Sequence, residues 1–268
     1  DLVRSRGLGD VYKRQMQSIV QFAAPAAAGV ILATFPLRTT LLVDVGTAFV
    51  GIGLFFLVLL PKQENGKEKG TVIEDLKSGI RYAYRDTLIR RLLLIYGLFV
   101  LLCVPGGFMA GLFVSRIYGD TYWYLTAVEL VGFAGMTAGG LLMGTWKGFS
   151  NQIKTLVLGL LLFGSMSIGM GIAPTFLIYL VMMTLYGVTL TMIQTTITTL
   201  IQQQTKVEMQ GRVFGLMGSM YAGFLPLGMA VFGPAADVVP LQWIMVASGI
   251  VLILMAIWTS SHCKYGQN

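Results

Sequence analysis

A single carboxylate stands inside a long apolar run. Glu129 is the only charged residue from Thr121 to Trp146. A carboxylate among apolar residues can take up and release a proton or bind a cation, and such groups mark ion pathways inside membranes. Near the start of a helix it can instead complement the positive end of the helix dipole. Glu129 is therefore either a candidate for proton coupling or substrate binding, or an interfacial structural glutamate.

Two further polar features lie in apolar surroundings. Asp44 is a second candidate for proton or substrate binding, and it could instead complement a helix N-terminus. Polar and small residues also recur every three or four positions over 184–202, which places most of them on one helical face. They form either a cavity wall, with Thr191, Gln194 and Thr198 as candidates, or a row of hydroxyls bonded back to their own helix and its neighbours.

Small residues recur at helical spacing in two places. These stripes are Gly135, Gly139, Gly140 and Gly144, and Gly211, Gly215, Gly218 and Ala222. Small side chains let helix backbones approach closely in a membrane. Helix packing is therefore their predicted role, above all for Gly135 and Gly139 in the first stripe and for Gly215 and Gly218 in the second.

The residues that typify enzymes and metal sites are sparse. The chain has two cysteines, Cys103 and Cys263, and one histidine, His262. They have no metal-binding spacing, and no Ser–His–Asp set, phosphate-binding Walker loop or dinucleotide fingerprint occurs. We therefore expect no catalytic residue, no metal and no cofactor, and we predict that the protein is not an enzyme.

The composition places these residues in a lipid bilayer. Of 268 residues, 55% are hydrophobic and only 12% are charged, and the mean hydropathy is +0.74, whereas soluble domains carry about 25% charged residues. A helix needs about 20 mostly apolar residues to cross a ~30 Å hydrocarbon core. The predicted fold is an all-α, polytopic bundle of transmembrane helices. Its eight predicted spans are 16–34, 39–60, 92–115, 122–146, 154–172, 176–203, 211–235 and 241–260.

Residues 61–91 are the only substantial polar segment. Its first half is predicted to be a loop, and its second half, from about Val72 to Leu88, an amphipathic helix at the membrane surface. The segment holds eight basic residues, and Lys and Arg favour the cytoplasmic side of a membrane. This segment and both chain ends are consequently predicted to be cytoplasmic. Nucleic-acid binding is not expected, because no basic patch with interleaved aromatic residues lies outside the membrane.

The first fifteen residues differ from the rest of the chain. Residues 1–15, DLVRSRGLGDVYKRQ, lack the apolar core of a signal peptide. The fragment GLGDVYKRQ looks like translated sequencing-adapter read-through. This segment is therefore predicted to be a non-native leader, with a genuine cytoplasmic loop as the alternative.

Three stretches carry a family resemblance. They are 210–228, QGRVFGLMGSMYAGFLPLG; 128–144, VELVGFAGMTAGGLLMG; and 21–32, QFAAPAAAGVIL. They resemble the Gly-Arg-Val-Phe entry into the eleventh helix, the glutamate-containing eighth helix and the fifth-helix antiporter motif of the major facilitator superfamily, in its macrolide-efflux-like and siderophore-exporter-like branch. In the third stretch, Ala24-Pro25 stands where that family has Gly-Pro.

The resemblance implies a major-facilitator fold that lacks its first four helices. Residues 16–60 would then be the last two helices of the N-terminal half, 61–91 the central cytoplasmic loop, and 92–268 the C-terminal six-helix half. In that fold, inverted repeats move around a central binding site near the midplane of the membrane.

The resemblance also implies a function. It indicates a secondary active transporter of the bacterial inner membrane that exports amphipathic drugs or related small molecules by proton antiport. Arg212 and Gly211 would help to latch the inward gate, and Pro25 would pack helices. The expected partners are a small-molecule substrate, protons and the lipid bilayer, with a monomer as the full-length state. The alternatives are a siderophore or metabolite exporter, an importer, or a non-transporting membrane sensor or scaffold.

Overall fold

The computed structural model describes residues 45–49, 53, 72–146 and 148–262, and all regular secondary structure in these ranges is helical. The predicted all-α class is confirmed. By compactness the chain divides into a unit of residues 1–69 and 121–126 and a larger unit of residues 70–120 and 127–268, and the contacts between helices given below lie within the larger unit. The helices are α1 Val72–Arg85, α2 Thr87–Cys103, α3 Ala110–Ile117, α4 Tyr122–Trp146, α5 Gln152–Gly171, α6 Phe176–Gln204, α7 Val207–Val238 and α8 Leu241–His262.

Five helices of the described ranges, α4 to α8, are long and apolar enough to cross a membrane. Each coincides with a predicted span to within four residues at either end. Local sequence signals fix the starts of α5 and α6. The side chain of Asn151 accepts a hydrogen bond from Ile153 N at the start of α5, and that of Thr175 accepts one from Ile178 N at the start of α6, as N-cap residues do. The predicted span 16–34 with Pro25, and Asp44 of the predicted span 39–60, lie outside the described residues.

The prediction of one continuous span over 92–115 is wrong. The chain forms α2 up to Cys103, a turn over 104–109, and then the short helix α3. Pro105 causes the break, because proline lacks a backbone N–H and its ring clashes with the preceding turn of a helix. The length of an uncharged run indicates that a segment can span the membrane. It does not show where the backbone hydrogen bonds of the helix are interrupted.

A buried tyrosine of α6 packs into this break. Tyr186 is 2% exposed, and its hydroxyl donates a 3.1 Å hydrogen bond to the carbonyl of Cys103. Its ring stacks on Phe163 of α5 with centroids 4.0 Å apart. A Cβ on Gly106 would lie 2.8 Å from the Tyr186 hydroxyl, so only glycine fits here. The break in α2–α3 is therefore held by a side chain from a distant part of the sequence.

Helix α1 ends earlier than predicted. The amphipathic helix was expected to continue to about Leu88, but α1 stops at Arg85. A single residue, Asp86, ends that continuity by capping α2. Its Oδ1 accepts hydrogen bonds from Leu88 N at 2.9 Å and Ile89 N at 3.0 Å. Its Oδ2 accepts a 3.4 Å hydrogen bond from Gln204 at the end of α6. An N-cap residue takes a non-helical backbone conformation, which is why α1 stops at Arg85.

Helices α5 and α8 form a close seam. A Cβ on Gly164 would lie 2.7 Å from the Gly249 carbonyl oxygen, and one on Gly249 would lie 2.6 Å from the Gly164 oxygen. Ser167 donates a buried 3.0 Å hydrogen bond across the same seam to the Met245 carbonyl. Backbone contact through small residues replaces the hydrophobic effect, which does not drive helices together in lipid.

Replacing Tyr186 with phenylalanine removes one buried hydrogen bond without changing the ring packing. Such a bond contributes about 1 kcal/mol net, which corresponds to a melting-temperature decrease of about 2–4 °C in a chain of this size. The measurement is thermal unfolding in detergent. Tyr221→Phe is the control, because Tyr221 is 39% exposed and the described residues offer its hydroxyl no hydrogen bond. Equal melting temperatures for Tyr186→Phe and the unaltered chain would contradict the role assigned to this hydroxyl.

Candidate functional site

Glu129 lies seven residues after Tyr122, the first residue of α4. This distance is about 10 Å along the helix axis. Among the five candidate spans of the described ranges, it is the only Asp or Glu more than two residues from a helix end. Its side chain is exposed, whereas the neighbouring Val128 is only 1% exposed. The carboxylate therefore stands on the rim of a buried helix face, about two turns inside the helix.

The buried face of α4 packs directly on α6. A Cβ on Gly135 would overlap the Thr184 carbonyl oxygen, and one on Gly139 would lie 2.6 Å from the Val188 oxygen. In return, a Cβ on Gly187 would lie 2.5 Å from the Gly132 oxygen. We call this contact the α4–α6 seam. Any residue larger than glycine at these positions would push the two backbones apart.

A buried phenol shares the level of Glu129 along this seam. A Cβ on Gly132 would lie 3.0 Å from the Met183 methyl group, and one turn earlier on the two helices come Glu129 and Tyr179. Tyr179 is 0% exposed, and its hydroxyl has no hydrogen-bond partner within the described ranges. Burying a hydroxyl without a hydrogen-bond partner costs free energy. Tyr179 is therefore included in the candidate site, although the residues around it are apolar.

The ring of Tyr179 is fixed by other aromatic side chains. It stacks on Phe113 with centroids 5.2 Å apart and an interplanar angle of 14°. It also packs at 5.7 Å against Tyr118, whose hydroxyl donates a 2.7 Å hydrogen bond to the Ala173 carbonyl. Sequence reasoning missed Tyr179, because an aromatic residue in an apolar helix has no local signal that separates it from ordinary core.

The polar stripe of α6 divides into two parts. Towards the helix start its groups are used within the protein, since Thr184 donates to Leu180 O at 2.9 Å and Thr191 to Met136 O at 3.1 Å. Further along, Gln194 and Thr198 are exposed, and within the described part of the chain their side chains have no hydrogen-bond partner. Thr191 therefore has a place in the α4–α6 seam, whereas Gln194 and Thr198 present free polar groups.

An ion pair joins the ends of α3 and α7. Arg116 Nη2 lies 2.8 Å from Asp237 Oδ1, and Arg116 Nη1 donates a 2.5 Å hydrogen bond to the Ala236 carbonyl. The arginine thereby contacts both a carboxylate and one of the last carbonyls of α7, where the helix dipole favours a cation. The sequence did not predict this ion pair.

The proposed gate residues lie at the other end of α7. The Arg212 Nη1 atom is 3.6 Å from Met209 Sδ, and a Cβ on Gly79 of α1 would lie 3.1 Å from the Arg212 carbonyl oxygen. Helix α1 thus passes close to the first turns of α7. At Gly211, Gly215 and Gly218 no atom of the described residues lies within 4 Å of an added Cβ, so the packing role of Gly215 and Gly218 stays a prediction.

Metal ligands do not converge in this part of the molecule. Over residues 45–49, 53, 72–146 and 148–262, no group of three or more His, Cys, Asp or Glu side chains could hold a metal ion. Cys103, the free cysteine of these ranges, is buried beside the Tyr186 hydroxyl. Along the α4–α6 seam, the groups that could take part in chemistry are the Glu129 carboxylate and the buried Tyr179 phenol, and further along α6 come the exposed amide of Gln194 and hydroxyl of Thr198.

Comparison with known proteins assigns the family. The sequence model of the Major Facilitator Superfamily matches residues 15–229. The chain belongs to this superfamily. It is accordingly a multi-pass membrane protein, in agreement with the five apolar helices α4 to α8.

Three bacterial proteins are similar to this chain. Macrolide efflux protein A of Streptococcus pyogenes is 24% identical over 250 residues, which cover 92% of this chain and 62% of that protein. The protein of the same name in Enterococcus faecalis is 24% identical over 222 residues, or 81% and 69% of the two chains. The uncharacterised MFS-type transporter YfiS of Bacillus subtilis is 25% identical over 253 residues, or 91% and 60%. These matches confirm the macrolide-efflux-like branch. No solved structure gives a significant match.

Adding one methyl group at Gly135 should open the α4–α6 seam. Overpacking of this kind costs about 1–3 kcal/mol, so Gly135→Ala is expected to lower the melting temperature in detergent by several degrees. The matched control is Gly140→Ala on the same helix, where no described atom lies within 4 Å of an added Cβ. The control should be neutral or slightly stabilising, because alanine is the better helix former. If both variants melt alike, the seam is not a constraint.

Proposed function

We propose that the protein is a secondary active transporter that exports amphipathic small molecules in exchange for protons. The observation that carries the proposal is Glu129, an exposed carboxylate two turns inside an apolar helix of a superfamily member. Intramembrane carboxylates are costly and serve as proton or ion sites. The printed names of two similar proteins, macrolide efflux protein A, support export and an amphipathic substrate. The chain spans about 62% of the length of the first of these relatives.

The described part of α6 offers a surface suited to such a substrate. Small-molecule sites are mostly apolar walls with a few placed polar groups that set orientation. The exposed amide of Gln194 and hydroxyl of Thr198 are groups of this kind on a helix that is long and apolar enough to cross a membrane. We infer that they face the substrate, and that the buried part of the same helix anchors them through the α4–α6 seam.

In this mechanism, Glu129 exchanges a proton with one side of the membrane at a time. The charged form attracts a proton or a cationic group of the substrate, and the neutral form lowers the cost of moving the site through lipid. Tyr179, at the same level of the seam, is proposed to position the carboxylate during transport, since its buried hydroxyl has no hydrogen-bond partner among the described residues. Because the α4–α6 seam fixes both helices, the proton site and the polar groups of α6 move together when the repeats rock.

The setting of the transporter is part of the proposal. We infer a bacterial inner membrane, a cytoplasmic position for the 61–91 loop and both chain ends, and a monomer as the full-length state. The basic residues of 61–91 support the orientation. We place Arg212 and Gly211 at the inward gate, where the close approach of α1 to Arg212 supports a role in holding the ends of the helices.

Neutralising Glu129 tests the proposal. Glu129→Gln keeps the shape and hydrogen-bonding capacity of the side chain but cannot carry charge, so it should abolish efflux driven by a pH gradient while expression stays near normal. Glu129→Asp should retain part of the activity, because the charge survives on a shorter side chain. The assay is macrolide or dye efflux in vesicles from cells that express the native gene containing this sequence, under an imposed pH gradient.

The matched control is Glu208→Gln, the same change in an exposed residue of the first turn of α7. It should leave efflux unchanged. If Glu129→Gln transports like the unaltered protein at an equal protein level, Glu129 is an interfacial residue and the proton site lies elsewhere in the transporter.

A further inference from the structure

An apolar groove runs along the outer surface between α2 and α8. It has a cavity volume of about 380 Å³. Its lining residues are Leu94, Ile95 and Leu98 of α2 and Val251, Leu254, Met255 and Trp258 of α8. Leu94 and Leu254, which lie on opposite walls, remain 60% and 58% exposed. A groove of this size with hydrocarbon walls fits a flexible hydrocarbon chain.

Two arginines stand at one end of this groove. Arg90 and Arg91 lie one helical turn before Leu94 and Ile95, on the same side of α2. Arg91 donates to the carbonyl of His262, which joins this end of α2 to the last residue of α8. Arg90 is exposed and donates a 3.4 Å hydrogen bond to the Tyr84 carbonyl. Both partners are neutral carbonyl oxygens.

Among the side chains that the structure describes, no carboxylate forms an ion pair with Arg90 or Arg91. The Asp86 carboxylate, one turn before Arg90, accepts hydrogen bonds from Leu88 N, Ile89 N and Gln204 instead. The groove also ends at an aromatic wall, where Trp258 stacks on the His262 ring with centroids 5.2 Å apart. Tryptophan favours the lipid–water interface, so this is the level at which a lipid headgroup would lie.

We propose that the groove between α2 and α8 binds one anionic phospholipid, with its phosphate on Arg90 and Arg91 and an acyl chain along Leu94, Leu98 and Leu254. Guanidinium groups match the geometry of phosphate oxygens through paired hydrogen bonds. Basic pockets between transmembrane helices are suited to anionic headgroups. The site is separate from Glu129 and α6, and it does not depend on the proposed transport function.

The charge at the groove end decides between possible occupants. A zwitterionic lipid would offer the same acyl chain but would bring its own cation next to the two arginines. A second copy of this chain would have to place a carboxylate here, and the apolar walls would then form a dimer interface. An anionic phospholipid satisfies the guanidinium groups and the hydrocarbon walls with a single molecule.

Native mass spectrometry of the full chain in detergent tests the site directly. Phosphatidylglycerol and phosphatidylcholine with identical acyl chains are titrated separately, and the bound molecules are counted. Phosphatidylglycerol should bind more tightly than phosphatidylcholine. Arg90→Gln should weaken phosphatidylglycerol binding by about fivefold, because a basic residue contributes about 1 kcal/mol. Adding Arg91→Gln should weaken it by a similar factor again. Leu98→Trp, which fills the groove but keeps both charges, should also reduce binding. Free glycerol phosphate should not compete.

Lys154→Gln is the control, because Lys154 is an exposed cation at the start of α5 outside the groove lining. It should bind phosphatidylglycerol as the unaltered chain does. The proposal is overturned if Arg90→Gln, which removes an exposed side chain, binds phosphatidylglycerol as tightly as the unaltered chain. It is equally overturned if phosphatidylcholine binds as tightly as phosphatidylglycerol, or if Lys154→Gln loses as much affinity as Arg90→Gln. Competition by free glycerol phosphate, or a dimer with no bound lipid, would also overturn it.

Discussion

The close approach of α4 and α6 is the constraint on which the candidate site depends. Their backbones touch through Gly135, Gly139 and Gly187, where an added methyl group would meet a carbonyl oxygen at 2.6 Å or less. This contact sets the register of the two helices, and the register brings Glu129 to the level of Tyr179. In lipid, packing of this kind must come from van der Waals contact and from hydrogen bonds such as that of Thr191 with Met136.

Charged groups of the described residues lie mostly at the ends of helices. Asp86 caps α2 and reaches Gln204, and Arg116 joins Asp237 at the end of α7. Such contacts hold helix ends together where water is near, while the interior relies on glycine contacts, aromatic packing and hydrogen bonds between uncharged groups. Glu129 departs from this pattern, since it stands two turns inside α4 among apolar neighbours. A carboxylate at such a position is costly in lipid, and this cost is the physical ground for proposing that it has a function.

Sequence alone predicted the helices well and the site only in part. Runs of uncharged residues located α4 to α8, because membrane spans are set by hydrophobic length. The interruption of one run singled out Glu129, and the helical spacing of small residues singled out Gly135 and Gly139 of the α4–α6 seam. It missed the break at Pro105, which depends on backbone hydrogen bonds rather than on polarity. It also missed two tyrosines that only tertiary structure distinguishes. The hydroxyl of Tyr186 donates a hydrogen bond to another helix, and that of Tyr179 is buried without a partner among the described residues. Tertiary contacts of this kind leave no periodicity in the chain.

The central claim is that Glu129 carries the proton that is exchanged for substrate. Proton release on substrate addition tests it most directly, measured with a pH-indicator dye in weakly buffered detergent solution of the native transporter that contains this sequence, with a macrolide as the probe. The account predicts that the unaltered protein releases protons when the macrolide binds and that Glu129→Gln releases none while still binding it. Equal proton release from both proteins would contradict the account.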